Sequence, residues 1–194
     1  FQQLPVGAEL PTLWGADGIA DRHSAAWKGL VLPPALMIVM LGVFSGLKWV
    51  EPRQENLNNS LRARDGFALA IVLVALLLQV GTIAVALGLE VPKSRMAVLG
   101  VGLALLIMGN FMGKTRSNFF IGIQTPWTLA SEDIWRKTDR FGGKLSMFAG
   151  AVMILAAWVM AEVSLKYVVF VIVVPATVIP VVYSWWLWRQ EQKQ

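Results

Sequence analysis

Gly66–Leu89, GFALAIVLVALLLQVGTIAVALGL, decides the fold. It contains no charged residue, and Gln79 and Thr82 are its only polar side chains. A helix needs roughly 20 apolar residues to cross a bilayer, and this run exceeds that length. Hydrocarbon offers no partner for backbone N–H and C=O groups, so a spanning segment of this kind satisfies them internally, as a helix.

Four further apolar runs flank it: Gly29–Leu47, Met96–Met112, Leu145–Ala161 and Tyr167–Trp188. Met96–Met112 is close to the short limit of about 17 residues for a span. The 194 residues are 56% hydrophobic and 15% charged, with mean hydropathy +0.60, against about 25% charged in an ordinary soluble domain. A soluble fold would have to bury nearly all of five long runs, so the expected class is all-α: a polytopic helical membrane bundle with five spans in this chain. The division this implies is an extracytoplasmic segment at 1–28, a bundle at 29–188 and a tail at 189–194. Pro33 and Pro34 are expected in the first turn of the first span, where a missing N–H costs little. Pro175 and Pro180 are expected to kink the last one, and Trp185, Trp186 and Trp188 to sit at the headgroup layer. Residues 1–28, polar and rich in Pro and Gly, are expected to form turns and short helix.

Charge sets the expected orientation. Lys48, Arg53, Arg62, Arg64, Lys114, Arg116, Arg136, Lys137, Arg140, Lys144, Arg189 and Lys193 would share one side, twelve cations. Arg22, Lys28, Lys93, Arg95 and Lys166, five cations, would share the other. The excess of basic residues on the cytoplasmic side places the C-terminus there. The external segment then implies one more span before Phe1, six in the full protein. The net charge of +5 reads as this loop asymmetry and as attraction to membrane lipids, without direct nucleic-acid binding.

The stretch Gly109–Lys144, GNFMGKTRSNFFIGIQTPWTLASEDIWRKTDRFGGK, is far too long and polar for a plain connector. Ser131 reads as an N-cap with Glu132 and Asp133 in the first turn. A short cytoplasmic interfacial helix would follow, with Ile134, Trp135 and Phe141 in the membrane and Arg136, Lys137 and Arg140 toward anionic headgroups. Gly142 and Gly143 would end it and turn the chain into the fourth span. The plain reading is an interfacial linker; the functional reading is a docking surface at 113–144. Gln79 and Asn110 are the polar residues inside spans, best read as interhelical hydrogen bonds. Gly109 and Gly113 fit a small-xxx-small helix contact. Glu162 lies at a helix end. Asp17, Asp21 and His23 are too few and too close in sequence to make a convincing metal site. The chain has no Cys and one His, and it shows no nucleophile–base pair, phosphate loop or paired buried carboxylates. The reading is therefore non-enzymatic, with no cofactor and no metal.

Asn118-Phe119-Phe120-Ile121-Gly122-Ile123-Gln124-Thr125-Pro126-Trp127-Thr128-Leu129, followed by Glu132, Trp135, Lys137-Thr138 and Arg140-Phe141-Gly142-Gly143-Lys144, strongly resembles the SdpI family of bacterial integral membrane proteins. Leu4-Pro5, Leu10-Pro11, Trp14-Gly15-Ala16-Asp17-Gly18 and Asp21-Arg22 resemble the extracytoplasmic motif often found with it. The resemblance implies a protein of the bacterial cytoplasmic membrane, in immunity to a secreted peptide toxin and in signal reception through a small cytoplasmic repressor. It also implies that Asn118, Thr125, Pro126, Trp127, Glu132, Trp135, Lys137, Arg140 and Lys144 form the partner-contacting surface, with Trp127, Trp135 and Arg140 foremost. Gln124 stands where family signatures often carry Arg, and Leu13 where the outer motif often carries His. The alternative is a non-catalytic accessory subunit of a larger membrane complex, with the Trp-rich helix ends as packing surfaces.

Overall fold

The computed structural model describes residues 9–14 and 20–193. Five helices are long and apolar enough to cross a membrane: α1 (Ala26–Val50), α3 (Leu61–Ala86), α4 (Lys93–Met112), α6 (Glu132–Val159) and α7 (Glu162–Glu191). Two one-turn helices, α2 (Gln54–Asn58) and α5 (Pro126–Ala130), lie in the connections. The long helices pack as an up-and-down series, each against the next in sequence, and α4 also touches α7. The chain is an all-α polytopic membrane protein.

The outward faces remain apolar. Only 6% of the α1 window is buried within the protein, and 22% of the α7 window, so most of both helices is left for hydrocarbon. Two clusters hold the inside. One gathers Leu47, Leu57, Ala63, Phe67 and Ile121 under the 113–131 connection. The other gathers Val98, Met153, Ala157, Leu165 and Val168 toward the opposite end.

The 1–28 segment differs from expectation. Where it is described it forms an antiparallel ribbon, β1 (Glu9–Trp14) with β2 (Ala20–Ala25). The register slips between Pro11 and Leu13 and again between Leu13 and Trp14. An N–H missing at Pro11 is tolerated in a two-stranded ribbon, where every strand is an edge. Asp17 lies outside the described residues, as do the side chains of Asp21 and His23.

The helix ends follow local chemistry. α3 stops at Ala86, short of Leu89, because Gly88 takes φ +80°. Leu89 N–H then bonds Ala84 O at 3.0 Å, and Gly88 N–H bonds Val85 O at 3.0 Å, the paired bonds of a Schellman closure. α6 begins at Ser131, whose side chain accepts from Ile134 N–H, as its sequence suggests. It does not end at Gly142-Gly143. It runs through both as one helix of 28 residues, about 42 Å long against a hydrocarbon core of about 30 Å. No separate interfacial helix exists over 131–141, because both glycines are interior contact points. The short helix of this connection is instead Pro126–Ala130.

Those contacts explain the closest helix pair, α4 with α6. A Cβ on Gly143 would stand 2.6 Å from Gly109 O, and one on Gly150 would stand 2.5 Å from Gly102 O. Gly102 and Gly109 are two turns apart on α4, as are Gly143 and Gly150 on the antiparallel α6. Small residues let helix backbones touch where lipid supplies no hydrophobic drive for association. Gly109 was legible as such a site, and Gly113 also faces α6, against the Arg140 side chain at 3.3 Å from an added Cβ. Gly102 and Gly150 become legible only once the pair is assembled.

Pro33 and Pro34 lie inside α1 rather than in its first turn, because the helix starts earlier, at Ala26. Pro34 has no N–H for Leu30 O, four residues back. Gln79 of α3 supplies the missing donor: its Nε2 bonds Leu30 O at 3.1 Å. The second-span glutamine is thus an interhelical clasp that satisfies the proline's orphaned carbonyl. Gln79→Leu is expected to destabilise the bundle by about 0.6–1.7 kcal/mol, the measured range for interhelical hydrogen bonds in membranes. In a Pro34→Ala background, where the backbone recovers its own donor, most of that loss should vanish. Equal losses in both backgrounds, measured by unfolding in micelles, would refute the clasp. Asn110, by contrast, is exposed on α4, so it is not the second interhelical bond its sequence suggests.

Candidate functional site

At one end of the bundle the 51–60 and 113–131 connections lock into a polar cap over the apolar cluster. Irregular backbone laid on an apolar core leaves amides and carbonyls that require partners, and buried side chains provide them. Asn118, fully buried, organises the first turn of the loop. Its Oδ1 accepts from Phe120 N–H at 2.9 Å and Ile121 N–H at 2.7 Å. Its Nδ2 donates to Arg116 O at 2.7 Å and Ile121 O at 3.0 Å.

A second knot holds the loop to α6. Asp139, 1% exposed, accepts from Ile123 N–H at 3.0 Å and from the Thr115 hydroxyl. Trp135, with no exposed surface, donates its indole N–H to Thr115 Oγ1 at 3.1 Å. Gly122 lies flat on both side chains with φ +121°. Thr125 then caps α5: its Oγ1 accepts from Thr128 N–H at 3.2 Å, and Thr128 Oγ1 accepts from Thr125 N–H at 2.8 Å. Pro126 occupies the first position of that helix, where its missing N–H is no loss.

The 51–60 connection contributes the rest. Glu51, 1% exposed, accepts from Arg53 N–H and from Phe119 N–H, both at 2.9 Å. The Arg53 guanidinium donates to Ser117 Oγ and to Leu129 O at 2.9 Å, and lies 5.2 Å from the Phe119 ring centroid. Asn56 Nδ2 donates to Ser117 O at 2.7 Å, and Ser60 Oγ accepts from Arg116 N–H at 2.8 Å. α7 is tied in through Trp127, whose indole N–H donates to Ser184 Oγ and whose ring lies 6.1 Å from Trp188. Glu132 accepts from Ser117 N–H at 3.3 Å and pairs with Arg116 at 3.6 Å.

Burial divides the residues singled out from sequence. Asn118, Thr125 and Trp135 are inside the cap, and their polar atoms are engaged in holding it. Trp135 therefore neither lies in the membrane interface nor offers a partner its surface, and Ile134, 2% exposed, is likewise internal. Phe141, at 37% exposed, does face outward. Trp127 and Glu132 are half-buried, and Pro126, Lys137, Arg140 and Lys144 are exposed. Lys137 pairs with Asp133 at 2.6 Å one turn back along α6. Gln124 is exposed between the Asp139 knot and the α5 cap, and Phe119 and Phe120 are 44% and 42% exposed beside it. Sequence reasoning missed Glu51, Arg53, Asn56 and Asp139. Glu51 had a signal, an acid set directly at the end of an apolar run before Pro52. Asp139 had another: it shares a helical face with Trp135 and Gly142.

The fold and the cap define a polytopic helical membrane protein whose polar end is held together by buried hydrogen bonds. Residues 114–184 match the SdpI/YfhL protein family, which bears out the resemblance read from the sequence. The matched stretch runs from the 113–131 loop through α5 and α6 to Ser184 of α7, which takes in the loop half of the cap. Across 174 residues, 90% of this chain and 78% of the relative, it is 27% identical to the immunity protein SdpI of Bacillus subtilis strain 168. No solved structure matches the chain.

Proposed function

We propose that this chain is a membrane immunity protein that protects its host from a secreted toxin, with the cap as its cytoplasmic protein-contact surface. The observation that carries the reading is similarity to a named immunity protein over 90% of the chain. The basic excess at the cap end favours a cytoplasmic cap. Most of the cap's inner polar atoms hold its shape, so recognition falls to its outer face: Phe119, Phe120, Gln124, Pro126, Lys137 and Arg140. That surface combines two exposed aromatics with cations, which suits a soluble partner carrying apolar and acidic groups.

Expression in a toxin-sensitive bacterium should raise survival under toxin challenge. Unchanged survival, with the protein verified in the membrane, counts against immunity. If the cap reads a partner, Gln124→Ala combined with Arg140→Ala should leave melting temperature and membrane level near wild type while weakening crosslinking to a cytoplasmic partner at least tenfold. Undiminished crosslinking would remove the cap's outer face from recognition.

A further inference from the structure

Asp139 is the acid at the centre of the cap, and its neighbours compete for one proton. Thr115 Oγ1 accepts the Trp135 indole N–H at 3.1 Å. It also meets Met112 O at 2.9 Å and Asp139 Oδ2. A hydroxyl has a single proton to give, and a backbone carbonyl can only accept. If the Thr115 proton goes to Met112 O, the contact with Asp139 Oδ2 needs a proton on the acid. We propose that Asp139 and Thr115 form a proton-operated latch: the protonated acid donates to Thr115 and seats the 113–131 loop, and ionisation loosens it.

Both states can be written with every proton placed. In the seated state Asp139 O–H and Trp135 N–H donate to Thr115 Oγ1, and Thr115 O–H donates to Met112 O. That hydroxyl then gives one bond and accepts two, its full capacity. Asp139 Oδ1 accepts from Ile123 N–H at 3.0 Å throughout. On ionisation the acid's proton passes to water and the Thr115 hydroxyl turns to Asp139. Met112 O, at the end of α4, then keeps the Thr115 N–H at 3.2 Å and loses the hydroxyl.

The anion so formed has no cation to meet it. Among the described residues Asp139 enters no ion pair. On α6, Arg136 and Lys137 pair with Asp133, and the Arg140 stem packs toward Gly113. In the loop, Arg116 pairs with Glu132, and Lys114 lies over the Phe111 ring. From the 51–60 connection, Glu51 binds the Phe119 amide, and Arg53 binds Ser117 and Leu129 O. α4 has its charges at the far end, Lys93 and Arg95, and α5 has none. α7 packs Pro180 on Gly142, 3.3 Å from an added Cβ. Its Tyr183 lies against Phe141, its Arg189 over Trp185, and its Glu191 against Ser131. α6 exceeds the hydrocarbon core by about 12 Å, roughly eight residues. Asp139 is the eighth residue of that helix and bonds Thr115 beyond the end of α4, so it belongs to the cap rather than to hydrocarbon. Burial there pushes its carboxyl up to about 6, and Glu132 adds to the rise, while the Thr115 and Ile123 hydrogen bonds pull the other way.

A carboxyl whose pKa rises on folding stabilises the seated cap fully below the ordinary value of 3.8, and that contribution is lost as pH rises through about 6. Acid therefore tightens the cap. Gln124 follows Ile123 directly, so the latch also sets the posture of the outer face; that consequence rests on the protein-contact reading, and the latch itself does not.

Difference infrared spectroscopy of the full chain in nanodiscs reads the acid directly. A protonated-carboxyl C=O stretch should be present at about pH 5, vanish by about pH 7.5 and be missing from Asp139→Asn. That substitution holds the latch closed, because an amide N–H donates to Thr115 as the acid does and the amide oxygen still accepts from Ile123 N–H. Hydrogen exchange of the Ile123 amide gives the second readout, with wild type and Asp139→Asn compared at the same pH so that intrinsic exchange cancels. The two should match at about pH 5, and wild type should exchange roughly tenfold faster or more at about pH 7.5. An infrared spectrum without the pH-sensitive acid stretch overturns the latch, and it does so from wild type alone. So does faster exchange in Asp139→Asn at both pH values, the result expected if an ionised carboxylate holds the loop. A ratio of the two exchange rates that stays constant with pH overturns it as well.

Discussion

Gly122→Ala is expected to unseat the loop from α6. Two independent penalties fall on one methyl group. Gly122 has φ +121°, a conformation closed to side chains. An added Cβ would also stand 2.5 Å from Asp139 Oδ2 and 2.5 Å from Trp135 Cζ2. Neither neighbour can yield cheaply, since Asp139 is tied to Thr115 and Ile123 N–H, and Trp135 is fully buried. Strain of about 1–3 kcal/mol for the backbone and a similar amount for overpacking give a loss of about 2–6 kcal/mol. The readout is cleavage after Lys114 or Arg116 by trypsin in micelles, together with the melting temperature. Gly122→Ala should speed cleavage at least tenfold, whereas Gln124→Ala, two residues on and exposed, should not. A Gly122→Ala protein with wild-type cleavage and melting would overturn this account of the cap.

Gly143→Leu should part α4 from α6 along much of their length. The helix backbones touch at Gly143 with Gly109 and at Gly150 with Gly102, so a side chain at one point levers the other open. Loss of this close packing should cost several kcal/mol, the upper range for core overpacking, and should lower the membrane level of the protein in cells. Gly143→Ala should be milder. Because Gly109 and Gly143 face each other, Gly109→Ala added to Gly143→Ala should cost less than the sum of the two, the helices having already moved. Strict additivity, or a wild-type melting temperature for Gly143→Leu, would show that the backbones do not meet there.

These residues also show how far the sequence could be read. The spans were legible because a run of 24 uncharged residues such as Gly66–Leu89 admits only a helix in hydrocarbon. The Ser131 cap of α6 was legible because capping is local, settled within four residues. The family signature was legible as a string of residues, and residues 114–184 match that family. The fate of Gly142-Gly143 was not legible. A glycine pair after an amphipathic turn reads equally well as a helix end or as a close-approach site, and only the positions of Gly109 and Pro180 distinguish them. The same holds for Trp135, whose place on an apolar stripe is shared by a membrane anchor and a core residue.

The sequence by itself determined the class of protein, five helices crossing a bilayer, because the solvation of backbone and side chains depends on composition and length. It determined the basic asymmetry between the two ends for the same reason, charge being a property of residues rather than of folds. Tertiary structure alone decided which polar residues hold the protein together and which it displays. Glu51 and Arg53 reach residues 117–129 across more than 60 positions of chain, Gln79 repairs a carbonyl freed by Pro34 on another helix, and Asp139 is covered by Gly122. Each of these is a pairing between distant groups, and no local pattern encodes the partner of a hydrogen bond that forms only when two helices and a loop have been brought together.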